Sequence, residues 1–115
     1  WLARRGRDTL APWLERLSGE IELRYGRVSI KGQRSRWGSC SARGDINLNY
    51  KLLFLPHEWA RYVLVHELCH TVELNHSPRF WDLVQRFEPQ AREISMALRD
   101  ARAYLPAWVL QPATA

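Results

Sequence analysis

Three of the four histidines in the chain fall in one run, His66-Glu67-Leu68-Cys69-His70-Thr71-Val72-Glu73-Leu74-Asn75-His76. On a helix, residues four apart face the same way, so His66 and His70 can turn two imidazoles toward one ion. Glu67 is rotated about 100° from His66. That suits a carboxylate working beside the metal better than one binding it. The H-E-x-x-H pattern has this division of labour, two histidines on zinc and the glutamate as general base. Chance produces the pattern in roughly one shuffled sequence of this composition in a hundred. Both histidines also lie in an otherwise apolar stretch, where buried imidazoles need partners and a metal supplies them.

A third ligand must come from nearby, because donors on one zinc lie within about 4 Å of each other. His76 reaches the ion only if the helix stops before it and the chain doubles back. Asn75 tolerates the left-handed conformation that such a stop uses. Ser77-Pro78 then reads as a cap with proline behind it, opening another helix. The expected ligands are therefore His66, His70 and His76 on one zinc per chain, with Glu67 catalytic. Glu88 and Glu93, on later helices, are the rivals for the third position. Glu73 is expected at the surface or beside a ligand, and His57 at the surface.

The elements that hold this run follow from periodicity. Leu10, Trp13, Leu14 and Leu17 mark an amphipathic helix over about residues 9–18, with Pro12 in its first turn and Gly19 as its stop. Ile21, Leu23, Tyr25, Val28 and Ile30 alternate, which predicts strands. Residues 36–40 form a third extended stretch. The turn signal Ala42-Arg43-Gly44-Asp45 joins it to alternating Ile46, Leu48 and Tyr50 as a hairpin. From Pro56 the period is helical through Trp59, Val63, His66, His70 and Glu73, and Asn75 is the expected end. Phe80, Trp81, Val84 and Phe87 mark a further helix that Glu88-Pro89 breaks. A last helix carries Ile94, Leu98 and Ala101 toward Pro106, with a loose tail beyond Trp108. The order is helix, small antiparallel sheet, then three helices: an α+β domain spanning residues 1–115.

Composition sets the outer bounds. A chain of 115 residues supports one domain with a modest core, and 46% hydrophobic with 25% charged residues is ordinary for a globular protein. The net charge of +5 is mostly arginine. Arg4, Arg5 and Arg7 are the one cluster and are expected at a mobile N-terminus. The scatter of the rest reads as a solvated basic surface, and nucleic-acid binding is not indicated. Cys40 and Cys69 form no C-x-x-C pair, which favours a reducing, cytoplasmic setting. No apolar run has the length of a membrane span. The sequence opens at Trp1 rather than methionine, which leaves room for segments upstream.

The run from His66 to His70, followed by Asn75-His76-Ser77 and Phe80-Trp81, resembles the YgjP-like metallopeptidases, relatives of the SprT-like and WLM proteases. Ser35-Arg36-Trp37-Gly38-Ser39-Cys40-Ser41, leading into Ile46-Asn47-Leu48-Asn49, resembles them too. The resemblance covers about residues 10–100. It implies a zincin-type fold, with a sheet above an active-site helix and zinc on the three histidines. It also implies a peptide or protein substrate lying extended beside an edge strand. Full-length members carry a longer N-terminal β region, which is not among these residues.

A peptide paired along Ile46 to Tyr50 makes Asn47, Asn49, Tyr50 and Arg36 the candidate substrate contacts. Tyr50, Arg36 and His57 are the candidate oxyanion donors. YbeY-type metal-dependent RNases share the three-histidine spacing and are the alternative enzyme class, but they lack the glutamate after the first histidine. A SprT-like protease acting on DNA-associated proteins is the second alternative. In the upstream motif, Gly38 is expected to allow close backbone approach or a bulge, and Cys40 to be a small buried thiol.

Overall fold

The computed structural model describes residues 1–33 and 35–104, the side chains of 102–104 excepted. The elements run α1 (Leu2–Ile21), β1 (Val28–Lys31), β2 (Gly38–Cys40), β3 (Ile46–Asn49), a 3-10 turn (Tyr50–Phe54), α2 (His57–His70), α3 (Pro78–Phe87), α4 (Ala91–Ala97) and a kinked 3-10 segment (Leu98–Tyr104). This is the α+β arrangement that the periodicity predicts. The tail beyond Trp108 lies outside the described residues.

Leu10, Leu14 and Leu17 of α1 are buried at helical spacing and pack on the sheet and α2. Their burial carries the helix straight through Pro12, whose missing N–H costs one backbone bond. The helix is longer than its local signals predict. It takes in Arg4, Arg5 and Arg7 at its start and runs past Gly19 to Ile21. Its stop is Glu22 in the left-handed region at φ 58°, with Leu23 N–H donating back to the Ser18 carbonyl at 3.2 Å. Ile21 and Leu23 therefore belong to a helix end and a connection, and the first strand begins only at Val28. Gly6 is the point of closest approach. A Cβ there would sit 2.7 Å from Ile30 Cγ2, so α1 lies directly against β1.

The sheet has the order β1-β3-β2 and is mixed, where the sequence predicts an antiparallel one. The β2–β3 hairpin is antiparallel as predicted, with Ser39 opposite Asn47 and Gly44 at φ +87° in its turn. β1 instead runs parallel to β3, with Val28 opposite Ile46. Alternation reports which face a residue takes and not which strand lies beside it, so this pairing is invisible in the pattern. β3 is thus the central strand, and β2 is the edge that packs on α2. Tyr50, expected as its last strand residue, opens the 3-10 turn instead.

α2 is the central helix of the core, with Ala60, Tyr62, Val63, Leu64, Val65, Leu68 and Cys69 all buried. A helix apolar on every side is one surrounded by protein. It ends at His70, earlier than predicted. Thr71 closes it, with its hydroxyl donating to the Leu68 carbonyl at 2.6 Å. Asn75 does not take the left-handed conformation, since Glu22 is the one described non-glycine residue with positive φ. Residues 71–76 make the reversal without a positive φ. α3 then starts as expected, with Ser77 Oγ accepting from Phe80 N–H at 3.3 Å and Pro78 behind it.

Candidate metal centre

The reversal brings three imidazole edges to one point. The Nε2 atoms of His66 and His70 are 3.1 Å apart, those of His70 and His76 3.1 Å, and those of His76 and His66 3.2 Å. Tetrahedral coordination at a Zn–N bond near 2.0–2.1 Å sets nitrogens about 3.3 Å apart. The triangle fits one such ion, and among the described residues this is the group of three that could hold a metal. Two of the outer nitrogens are engaged. His70 Nδ1 donates to the Glu73 carbonyl at 2.9 Å, and His66 Nδ1 lies 3.0 Å from the Tyr62 hydroxyl.

Phe80 is the floor beneath all three rings. It stacks on His70 at 4.3 Å and meets His66 and His76 edge-on at 4.8 and 5.1 Å. This apolar packing makes protonated imidazole costly. Burial, helped by its two histidine neighbours, pushes the His66 pKa down to about 3. Burial also lowers His70, against the pull of its bond to Glu73. His66 and His70 are thus held neutral, the form that ligates metal.

Glu67 faces the sheet rather than the triangle's core. It is 5% exposed, and its Oε1 has no hydrogen-bond partner. Burial raises its pKa to about 8, and the charge of Arg36 acts against that rise. Above it lies Gly38 of β2, where a Cβ would stand 3.1 Å from Glu67 Cγ and 3.2 Å from Oε2. The glycine expected to allow close approach does so, and what approaches is this carboxylate. Cys40, further along β2, is half-buried, with its thiol raised to about 11 by burial and by the charges of Glu67 and Asp45.

The other candidates lie apart. Glu88 is paired with Arg61 of α2, and the Glu73 carboxylate sits 3.8 Å from Arg79. His57 stacks on Trp13 of α1 at 4.6 Å. Tyr50 lies against Gly6 and Gly32, at the β1 side of the sheet. Asn49 is buried, and its amide donates to the carbonyls of Gln33 and Arg36 at 2.9 and 2.8 Å. Asn47 reaches Ser39 Oγ at 3.5 Å. Of the four expected substrate contacts, Arg36 is the one whose charge reaches Glu67.

A peptide cannot pair along β3 as expected, because β1 and β2 occupy both of its edges. The free edge nearest Glu67 is β2. Asn49 N–H donates to the Trp37 carbonyl at 3.0 Å and Ser41 N–H to the Asp45 carbonyl at 2.9 Å. The antiparallel alternation then turns the backbone groups of Gly38 and Cys40 outward. Tyr62 and the Gly38–Glu67 contact went unread in the sequence. The signal for Tyr62 was its place one helical turn before His66.

A mixed sheet over a helix that carries two of three clustered histidines and a buried carboxylate defines a zincin-type metallopeptidase. The chain belongs to the YgjP-like metallopeptidase domain family, whose model matches residues 1–101. Among solved structures it is similar to the metallopeptidase zymogen of Pyrococcus abyssi abylysin, at 26% identity and TM-score 0.69, covering 80% of this chain and 93% of that one. The metallopeptidase zymogen of Methanocaldococcus jannaschii jannalysin shares the fold at 18% identity and TM-score 0.63, covering 76% and 90%. No curated protein matches the sequence. The choice between peptidase and RNase falls to the peptidase.

Proposed function

We propose that the metal is zinc, one ion per chain, held by His66, His70 and His76, and that Glu67 is the general base of peptide-bond hydrolysis. The observation that carries this reading is the triangle of Nε2 atoms with sides of 3.1–3.2 Å, two of whose rings, His66 and His70, are kept neutral by burial. Bound there, zinc supplies Lewis acidity toward a water and toward a carbonyl oxygen. Glu67 takes the proton of the attacking water and returns it to the leaving amine. A pKa near 8 in the metal-free protein suits a group that must both accept and give a proton near neutrality.

The substrate peptide adds to the free edge of β2, bonded by the backbone of Gly38 and Cys40. Arg36 is the favoured oxyanion donor, because His57 is spent on Trp13 and Tyr50 lies toward β1. Asn49 serves indirectly, by fixing the Arg36 carbonyl. No described helix is long and apolar enough to cross a membrane, and the two free thiols fit a reducing cytoplasm.

Metal analysis of the purified chain is expected to give one zinc per molecule. His76→Ala is expected to lose it, while Glu88→Ala and Glu93→Ala keep it. Tight zinc in His76→Ala, with loss in either glutamate variant, would reassign the third ligand and leave the peptidase standing.

A further inference from the structure

The three imidazoles are not oriented alike. His70 gives its Nδ1 proton to a backbone carbonyl, the Glu73 oxygen. A carbonyl can only accept, so it fixes the ring with its proton on Nδ1 and its lone pair on Nε2. His66 has a phenol in that place, the Tyr62 hydroxyl at 3.0 Å. A hydroxyl can accept or donate, and if it donates to Nδ1 the ring carries its proton on Nε2, where no metal can bind. The hydroxyl therefore orients His66 correctly only if its own proton is directed elsewhere. Ser95 of α4, whose side chain interacts with Tyr62, is the neighbouring hydroxyl that can take that proton.

Packing leaves the phenol little choice of partner. Tyr62 is 2% exposed and lies one helical turn before His66 on α2. Residues four apart on a helix are neighbours. The ring is also set edge-on to the imidazole, with centroids 5.5 Å apart. Resting on the metal-centre reading above, we propose that Tyr62 is a positioning residue for the metal. Its hydroxyl, anchored by Ser95, accepts the Nδ1 proton of His66 and turns that ring's Nε2 lone pair into the triangle. The link ties α4, which contributes no ligand, to the affinity of the centre.

The test is zinc affinity of the full chain by competition with a chelator, in wild type, Tyr62→Phe and Ser95→Ala. Tyr62→Phe keeps the ring and removes the hydroxyl, and is expected to weaken zinc binding about ten- to a hundredfold. Ser95→Ala, which leaves the Tyr62 ring in place, is expected to weaken it by a smaller factor, and it carries the test alone if Tyr62→Phe does not fold. NMR supplies a readout that mere packing does not move. In the zinc form the His66 Nδ1 proton is expected to exchange slowly and to lose that protection in Tyr62→Phe, while the His70 Nδ1 proton keeps it. Zinc binding within about twofold of wild type in both variants overturns the proposal alone. Wild-type protein that binds no zinc overturns the metal centre and this proposal with it.

Discussion

The imidazole side of the centre and its carboxylate side are built on opposite terms. On the imidazole side the outer nitrogens of His66 and His70 have partners, and Phe80 supports all three rings. On the carboxylate side Glu67 is buried, yet Oε1 has no partner and Oε2 lies under the glycine of an edge strand. A buried polar group left unpaired costs roughly 1–3 kcal/mol, and more when charged. His66 and His70 are thus held in the neutral form that a metal requires. Glu67 is held where its charged form is penalised, which favours its taking a proton. Binding groups gain from being satisfied, and a proton-transfer group gains from being poised.

The sharpest way to break this contrast is Glu67→Gln. It removes the proton acceptor and touches no imidazole, so zinc content should match wild type while peptide hydrolysis falls on the order of 10²–10⁴-fold. Retained hydrolysis in a digest assay would show that the carboxylate side is not where the proton goes. Gly38→Ala probes the same side by sterics. The added methyl meets Glu67 on one side and the Asn47 carbonyl at 3.2 Å on the other, and the carboxylate is the more movable neighbour. Turnover is expected to fall by up to about a hundredfold with zinc affinity preserved. A fully active, folded variant would mean that Glu67 need not sit where it does.

The smallest effect is on stability, in the metal-free protein. His66 falls from an ordinary 6.5 to about 3, so the folded state binds fewer protons and its stability is lost as pH drops below 6.5. Glu67 rises from 4.5 to about 8, so the folded state binds more protons and stability is lost as pH climbs above 4.5. Between 4.5 and 6.5 the two slopes oppose each other. From 6.5 to 8 the carboxylate acts without that counterweight, at up to about 1.4 kcal/mol per pH unit. Urea unfolding across that range should show the decline in wild type and a flatter line in Glu67→Gln. An equal decline in both would place the titrating group elsewhere.

The sequence was most readable where the chemistry is local. His66, Glu67 and His70 share one helix, and Ser77-Pro78 marks the next, so the triangle could be anticipated from spacing. The reversal holding His76 was placed correctly but for the wrong reason. Thr71 ends α2, and Asn75 has no positive φ. Helix α1 outran its signals because buried leucines outweigh one internal proline. The parallel partner of β3 and the seating of Gly38 on Glu67 join residues far apart in the chain, and no periodicity records such contacts. Tyr62 stayed hidden for another reason. A buried tyrosine in an apolar helix looks like core until its hydroxyl is seen against an imidazole.

The edge strand that turns the backbone groups of Gly38 and Cys40 outward offers them to any extended chain, another copy of this protein included. Unpaired strand edges are the usual seeds of self-association. β2 blunts that hazard by its brevity, Gly38–Cys40 being too short to template a stable intermolecular sheet. Exposed Arg36 and Arg43 flank it, and the chain's net charge of +5 makes two such edges repel. Lengthening β2 or neutralising those arginines would trade colloidal stability for adhesion.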